Sequence, residues 1–138
     1  MPESQPHITI RGRRIGPDEP VFFIAEIGIN HNGNPEIARR LIDLTAERDA
    51  DAVKFQKRNL RQVYGPEVLD HLEEQDKELQ FVVAALQEAD LSDEVFVDLA
   101  HYARNKGLEF LCSPWDRASV DFLESLDVAA YKMASADL

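Results

Sequence analysis

Four short apolar runs, with helical patterns between them, restrict the fold of this chain more than any other feature. They lie at residues 21–25, 52–55, 108–112 and 128–134. Each run is nearly continuous in hydrophobicity rather than alternating, which is typical of parallel strands covered on both faces. The repeated order of strand, helix and strand therefore predicts an α/β fold with a parallel sheet and right-handed crossovers.

Capping residues predict where the helices between these runs begin and end. Asn34 is a favourable N-cap, and its helix is expected to end near Asp49, because Asp tolerates the left-handed turn usually given to Gly. Ser92 predicts the start of a second helix, with Gly107 as its stop. Asp116 predicts a third helix, which leads into the fourth apolar run.

Two segments do not fit the strand and helix repeat. Residues 1–20 predict a small β-hairpin, because residues 7–10 alternate in polarity and a turn-rich stretch follows. Residues 59–90 are longer than a βα loop needs, and their charged middle, DHLEEQDKELQ, is typical of a solvated helix face. We therefore expect an N-terminal hairpin followed by βα units over residues 21–138.

The charge balance and the single cysteine restrict partners and compartment. Lysine plus arginine number 15 and aspartate plus glutamate 26, which gives a net charge of -11. This charge argues against binding to nucleic acid or to an anionic membrane. Cys112 has no partner for an internal disulfide and is expected in the core, and the first residues lack the apolar stretch of a secretory signal. We therefore expect a cytoplasmic protein.

Polar residues follow three of the four apolar runs at their carboxyl ends, where parallel α/β folds build their active sites. They are Glu26 after the first run, Lys54 and Gln56 at the second, and Lys132, Ser135 and Asp137 at the fourth. Lys54 and Gln56 share one face of their strand, because side chains alternate along a strand. A buried ammonium needs an anion nearby. The pattern predicts either a site for an anionic substrate or a structural ion pair between a lysine and Glu26.

Three stretches of the chain resemble the N-acetylneuraminate (sialic acid) synthase family, which includes spore-coat polysaccharide, legionaminic acid and pseudaminic acid synthase relatives. The stretches are FIAEIGINHNGNPEIARRLID, ADAVKFQKR and LEFLCSPWDRASVDFLESLDVAAYKMASADL. The resemblance covers about residues 22–58 and 91–138, and nothing in residues 59–90 contributes to it.

The resemblance implies a TIM (β/α)8 barrel, a fold that typically needs about 250 residues. Residues 21–138 would supply the N-terminal half of the barrel, about four βα units, and residues 1–20 would form a hairpin that caps the barrel bottom. The C-terminal half and an antifreeze-like domain are expected to be absent from this chain.

The resemblance also implies roles for the polar residues at the strand ends. Glu26 would be the catalytic-site carboxylate, and Lys54 and Lys132 with Ser135 would hold the phosphate and carboxylate of phosphoenolpyruvate. Gln56 would bind substrate as well. Asp137 stands where the family often has Glu, which implies a different sugar.

The implied reaction condenses phosphoenolpyruvate with an N-acetylated amino-sugar aldose, such as N-acetylmannosamine, to give a nonulosonic acid and phosphate. It implies a divalent metal, Mn or Mg, with ligands beyond residue 138, so His31 is not expected to bind it. A homodimer is expected at full length. Two alternatives stay open: a Schiff-base aldolase that uses Lys132, and a catalytically inert half barrel that serves as a binding or assembly module.

Overall fold

The computed structural model describes residues 6–135. The strands are β1 (Ile8–Ile10), β2 (Arg13–Ile15), β3 (Ile24–Gly28), β4 (Ala52–Lys57) and β5 (Glu109–Pro114). The helices are α1 (Pro35–Ala46), α2 (Leu60–Val63), α3 (Pro66–Leu69), α4 (Lys77–Glu88), α5 (Asp93–Asn105) and α6 (Arg117–Ser125), and a 3₁₀ turn at Leu72–Glu74 precedes α4. Of the helices in this part of the chain, none has both the length and the apolarity needed to cross a membrane.

The main sheet has three parallel strands in the order β3, β4, β5. This arrangement confirms the predicted α/β fold with a parallel sheet. A separate two-stranded antiparallel sheet joins β1 to β2, with Ile8 opposite Ile15. Whether this pair caps a barrel, and whether the main sheet is half of one, stay predictions.

The core lies on one face of the main sheet, under the helices. Its centre is aromatic: the rings of Phe55 and Phe110 stack with centroids 5.3 Å apart. Phe96 of α5 meets both rings edge-on, at 6.4 Å and 6.5 Å. Since Val53 and Phe55 join this core while Lys54 does not, the predicted alternation of side chains along β4 is confirmed.

Helix ends follow the predicted caps. The Asn34 side chain accepts hydrogen bonds from two backbone N–H groups at the start of α1, and the side chains of Ser92 and Asp116 each accept one at the start of α5 and α6. Asp49 has a φ of 53° and Gly107 a φ of 80°, so both residues after the helices adopt the left-handed conformation.

The strands extend further toward their carboxyl ends than the apolar runs predict. β3 begins at Ile24, three residues after the start of the first run, and continues to Gly28. Glu26 is therefore inside β3, and likewise Lys54 is inside β4 rather than at its end. Apolar runs stop at charged residues, but a strand can continue where charged side chains pair with each other on one face.

The fourth predicted strand is wrong as an extended element. Among residues 6–135, the segment 128–134 pairs with β5 at a single bridge between Tyr131 and Cys112. Two further contacts position this segment. The Tyr131 hydroxyl donates to Glu124 of α6 at 2.5 Å, and Ala134 is buried.

The charged stretch between the second and third strands is only partly helical. Residues 70–76 form turns and the 3₁₀ segment, and helix α4 begins at Lys77. The reason is local, because the Asp76 side chain accepts a hydrogen bond from the Leu79 N–H at 2.8 Å and so fixes the helix start there.

Candidate functional site

Lys54 is the centre of the candidate site. It lies in the middle strand, opposite Glu26 of β3 and Leu111 of β5, on the face away from the helices. Its side chain is only 6% exposed. The amine Nζ lies 2.5 Å from Oε2 of Glu26 and donates to Oγ of Ser113 at 3.4 Å.

The two side chains of the ion pair differ in their exposure to solvent. The side chain of Glu26 is 59% exposed, whereas that of Lys54 is buried. An ammonium without a partner at such a position would cost several kcal/mol, so Glu26 stabilises it. The structural ion pair that the sequence allowed is therefore present.

Gln56 lies two residues further along the same face. Its Oε1 accepts a hydrogen bond from the guanidinium of Arg58. That guanidinium also lies over the ring of Trp115, 4.7 Å from the ring centroid. Burial lowers the pKa of Arg58 below its usual value, although the group stays charged at neutral pH.

Lys132 and Ser135 are both exposed. The Lys132 N–H donates to the carbonyl oxygen of Cys112 at 3.3 Å, which places the residue beside the end of β5. Tyr131, its neighbour, contacts Glu124 of α6. Convergence of the two lysine amines stays a prediction, and Asp137 lies outside the described residues.

Cys112 is a core residue, as its sequence context predicts. It is fully buried on the helix side of β5, and burial raises the pKa of the thiol to about 12. A thiol with this pKa is protonated at neutral pH and is a poor nucleophile.

His31 is also buried, at 1% exposure. Its Nδ1 accepts a hydrogen bond from the Gly33 N–H at 3.2 Å, and Nε2 has no hydrogen-bond partner among residues 6–135. Burial lowers the pKa of the imidazole below 6.5. The side chain is therefore neutral at pH 7 and packs against the Phe55 ring.

A metal site of three ligands is not formed at the strand ends by residues 6–135. The group whose ligand atoms lie within 4.8 Å of one another is His71, Glu73 and Glu74. All three are exposed on or beside the 3₁₀ turn, where acidic side chains commonly occur without a metal.

Two residues of the site were missed by sequence reasoning. Ser113 follows the third apolar run, which ends at residue 112, but β5 continues through it and its hydroxyl accepts a hydrogen bond from Lys54. Arg58 was not considered, although it has the same parity as Lys54 and Gln56. Continuing the two-residue repeat past the end of the apolar run would have identified it.

The fold and the site together define a class. This is a parallel α/β protein with a buried lysine and carboxylate pair on the helix-free face of its sheet, next to strand carboxyl ends that build ligand sites in such folds. Comparison with known proteins then gives the family, because the NeuB family is matched over residues 41–138. The chain belongs to the NeuB family, which confirms the resemblance noted in the sequence.

Three relatives illustrate the similarity. The spore coat polysaccharide biosynthesis protein SpsE of Bacillus subtilis is 36% identical over 94% of this chain and 34% of its own length. The human N-acetylneuraminate-9-phosphate synthase is 32% identical over 91% of this chain and 35% of its own length. The crystal structure of the N-acetylneuraminic acid synthetase from Leptospira borgpetersenii serovar Hardjo-bovis, in complex with citrate, superposes with a TM-score of 0.79 at 32% identity, covering 96% of this chain and 42% of that one.

The chain spans about a third of the length of the curated relatives that it matches. Activity, substrates and partners of a whole protein therefore enter below as proposals.

Proposed function

We propose that this chain is part of an enzyme that condenses phosphoenolpyruvate with an N-acetylated amino-sugar aldose to give a nonulosonic acid and phosphate. The observation that carries the proposal is the buried amine of Lys54, held between Glu26 and Ser113 on the helix-free face. Family membership supports the same reaction, since relatives of this chain are named as synthases of sialic-type acids.

The chemistry of phosphoenolpyruvate explains why such a lysine is needed. The substrate carries a phosphate and a carboxylate, and a compact ammonium is well suited to either anion. The hydroxyl of Ser113 lies 3.4 Å from the amine of Lys54, so one anionic group could bind both side chains. On this proposal, Lys54 binds one anionic group of the substrate, and Lys132 with Ser135 contribute from the neighbouring segment.

The proposed reaction forms one bond between carbon atoms and one bond from carbon to the oxygen of water. It breaks the bond between carbon and the bridging oxygen of the phosphate, while the aldehyde oxygen becomes a hydroxyl by gaining a proton released from the water. The methylene carbon of phosphoenolpyruvate attacks the aldehyde carbon, which leaves positive charge on the carbon that bears the phosphate. Water adds to that carbon, and phosphate leaves with the bridging oxygen. Glu26 is proposed to stabilise the positive charge or to accept a proton from the water, because its carboxylate is exposed toward the open face.

A divalent metal, Mn or Mg, is proposed for the enzyme as well. When bound, it would supply Lewis acidity toward the aldehyde oxygen. Its ligands are proposed to lie outside residues 6–135, because the strand ends in that range offer no set of three ligands. A cytoplasmic location and a homodimer are proposed on the same family basis.

Replacing Lys54 with Met in the full-length protein tests the proposal. Methionine keeps most of the side-chain volume but removes the charge, so the affinity for phosphoenolpyruvate should fall by about 2–5 kcal/mol. Lys132→Ala should also weaken binding by a few kcal/mol, on the order of one lost charge contact. Calorimetric titration with phosphoenolpyruvate and the release of phosphate with N-acetylmannosamine are the measurements.

The matched control is Lys106→Met. Lys106 forms an ion pair of 2.7 Å with Asp43 on the surface between α1 and the end of α5, so its loss should leave phosphoenolpyruvate binding unchanged. Equal affinity in the Lys54 and Lys106 variants would contradict the proposed site. Absence of phosphate release with every amino-sugar aldose tried would contradict the proposed reaction.

A further inference from the structure

Helix α4 exposes apolar side chains on the side that points away from the protein. Its inward side carries Leu79, Val83 and Leu86, of which Val83 is fully buried and the other two are partly buried. On the outward side Phe81 is 75% exposed and Val82 is 39% exposed. Because the outward side of a surface helix is normally polar, an apolar patch between charged residues is typical of an interaction surface.

Four residues form the centre of this outward side, which we call the α4 face. At about 3.6 residues per turn their side chains lie within about 60° of one another around the helix axis, and all four are exposed. They are Lys77, Phe81, Ala84 and Glu88. From the start of the helix to its end, the α4 face therefore presents a cation, a large ring, a small methyl group and an anion.

The two charges at the ends of the α4 face lack partners in the described chain. Among residues 6–135, neither Lys77 nor Glu88 forms an ion pair within 4.0 Å. The two residues lie about 16 Å apart along the helix axis, which is too far for them to pair with each other. Both charges are thus available to a group on another molecule.

We propose that the α4 face is an interface between two copies of this protein, in which two α4 helices pack antiparallel about a two-fold axis. Such an axis reverses the order of the residues, so Lys77 of each copy lies opposite Glu88 of the other. Phe81 comes level with Ala84 of the second copy, and the small side chain of Ala84 leaves room for the ring at the usual spacing of packed helices. The α4 face is therefore complementary to itself in charge and in size.

The charge and the size of the α4 face indicate a specific but weak contact. The chain has a net charge of -11, so most of its surface repels a second copy, whereas the α4 face carries one charge of each sign. A helix of 12 residues is about 18 Å long, which is less than a standard interface needs. We expect association that depends on concentration, with an affinity in the micromolar range or weaker. This inference does not rest on the proposed reaction.

Sedimentation velocity of the full-length protein tests the inference, because the edge strand β3 of the 138 residues alone would add other contacts. Lys77→Glu gives the α4 face two negative ends, and Glu88→Lys gives it two positive ends. Each variant should therefore associate with itself about 10-fold more weakly than the wild type. An equimolar mixture, with one variant carrying a fluorescent label, should regain the wild-type affinity, because both pairs across the two-fold axis again join opposite charges.

Phe81→Ser tests the fit of the ring independently of the charges. The ring is the largest apolar group of the α4 face, so its loss should weaken association by about 10-fold or more. Because Phe81 is exposed in the single copy, this substitution removes no core contact and the variant should fold.

The matched control is Asp98→Lys, which changes the net charge as much as Glu88→Lys does but lies on the exposed side of α5. It should associate as the wild type does. A wild type that stays monomeric up to about 1 mM would overturn the inference. Association that Phe81→Ser leaves unchanged would overturn it too, including where a charge variant does not fold, and would indicate a homodimer through another surface. A mixture that associates no better than its two components would have the same consequence, and the proposed reaction would stand in each case.

Discussion

Lys54 and Lys57 are three positions apart on one strand and meet opposite surroundings. Lys54 faces away from the helices and pairs with the exposed Glu26. Lys57 faces the helices, where its amine lies 2.8 Å from Asp93 and 4.8 Å from the centre of the Phe96 ring. Both amines are buried and both carboxylate partners are exposed, so the face of the strand distinguishes the two lysines and residue type alone does not.

Stability should depend on pH through His31. Burial lowers its pKa in the folded protein below 6.5, so between the two pKa values the unfolded state binds more protons. The contribution of the neutral His31 to the free energy of unfolding is therefore complete above about pH 6.5, and it is lost as the pH falls toward the pKa of the folded state. Urea unfolding of the full-length protein at about pH 7.5 and about pH 5.5 should show this loss, and His31→Phe should reduce it.

The exposed His101 provides the control for this experiment. His101→Gln removes a histidine that is not part of the core, and it is measured by urea unfolding at the same two pH values. A pH dependence in His31→Phe equal to that of the wild type would contradict the prediction.

Much of the candidate site could be predicted from residue order, because side chains alternate along a strand. Lys54 and Gln56 were identified in this way, and Glu26 by its place after an apolar run. Ser113 and Arg58 were missed, since hydropathy ends a strand at its first polar residues. Polar residues on neighbouring strands can form hydrogen bonds with each other, as Ser113 does with Lys54. The strand then continues past the end predicted from hydropathy.

At the scale of elements, the loop after β3 and the end of α4 fit closely together. Gly33 has a φ of 68°, and a Cβ atom built on it would overlap the carbonyl oxygen of Glu88. The imidazole of His31 bonds to the Gly33 N–H in the same loop. Helix α4, in a segment whose motifs the sequence analysis did not assign but which the family match includes, thus contacts the loop that follows the strand of Glu26.

Gly33→Ala should therefore destabilise the full-length protein by roughly 2–5 kcal/mol, the sum of left-handed strain and overpacking. Gly107→Ala is the matched control. Gly107 also has a positive φ, of 80°, but a Cβ there would meet nothing within 4 Å, so only the strain of about 1–2 kcal/mol remains. Equal losses of unfolding free energy in urea would show that the contact with Glu88 does not matter.

Helices were predicted better than strands. Asn34, Ser92 and Asp116 act locally, within a few residues of the backbone groups that they cap, so sequence alone locates them. The extent of a strand depends on a neighbour distant in sequence. Residues 128–134 have suitable hydrophobicity but make a single bridge to β5, which no local pattern could indicate.

At the scale of the whole molecule, helices α1, α5 and α6 pack against one face of the sheet in the part of the chain that the structure describes. Strand β3 lies at its edge, and Phe23, which leads into it, is 63% exposed. Unpaired strand edges next to apolar side chains promote association between chains.

The 138 residues expressed alone should therefore dimerise or aggregate. Light scattering coupled to size exclusion, at concentrations spanning two orders of magnitude, measures this. A soluble monomer over the whole range would contradict the prediction and favour a self-sufficient module.

The pairing of Glu26 with Lys54 gives the site an internal counterion. Any anion that reaches the amine has to exchange with a tethered carboxylate 2.5 Å away, so a simple anion gains little from the exchange. A substrate that also develops positive charge as it reacts would attract the carboxylate of Glu26, which it has displaced from Lys54. The ion pair of Glu26 and Lys54 would thus weaken the binding of simple anions such as chloride or phosphate. It would favour a substrate that becomes positively charged during the reaction.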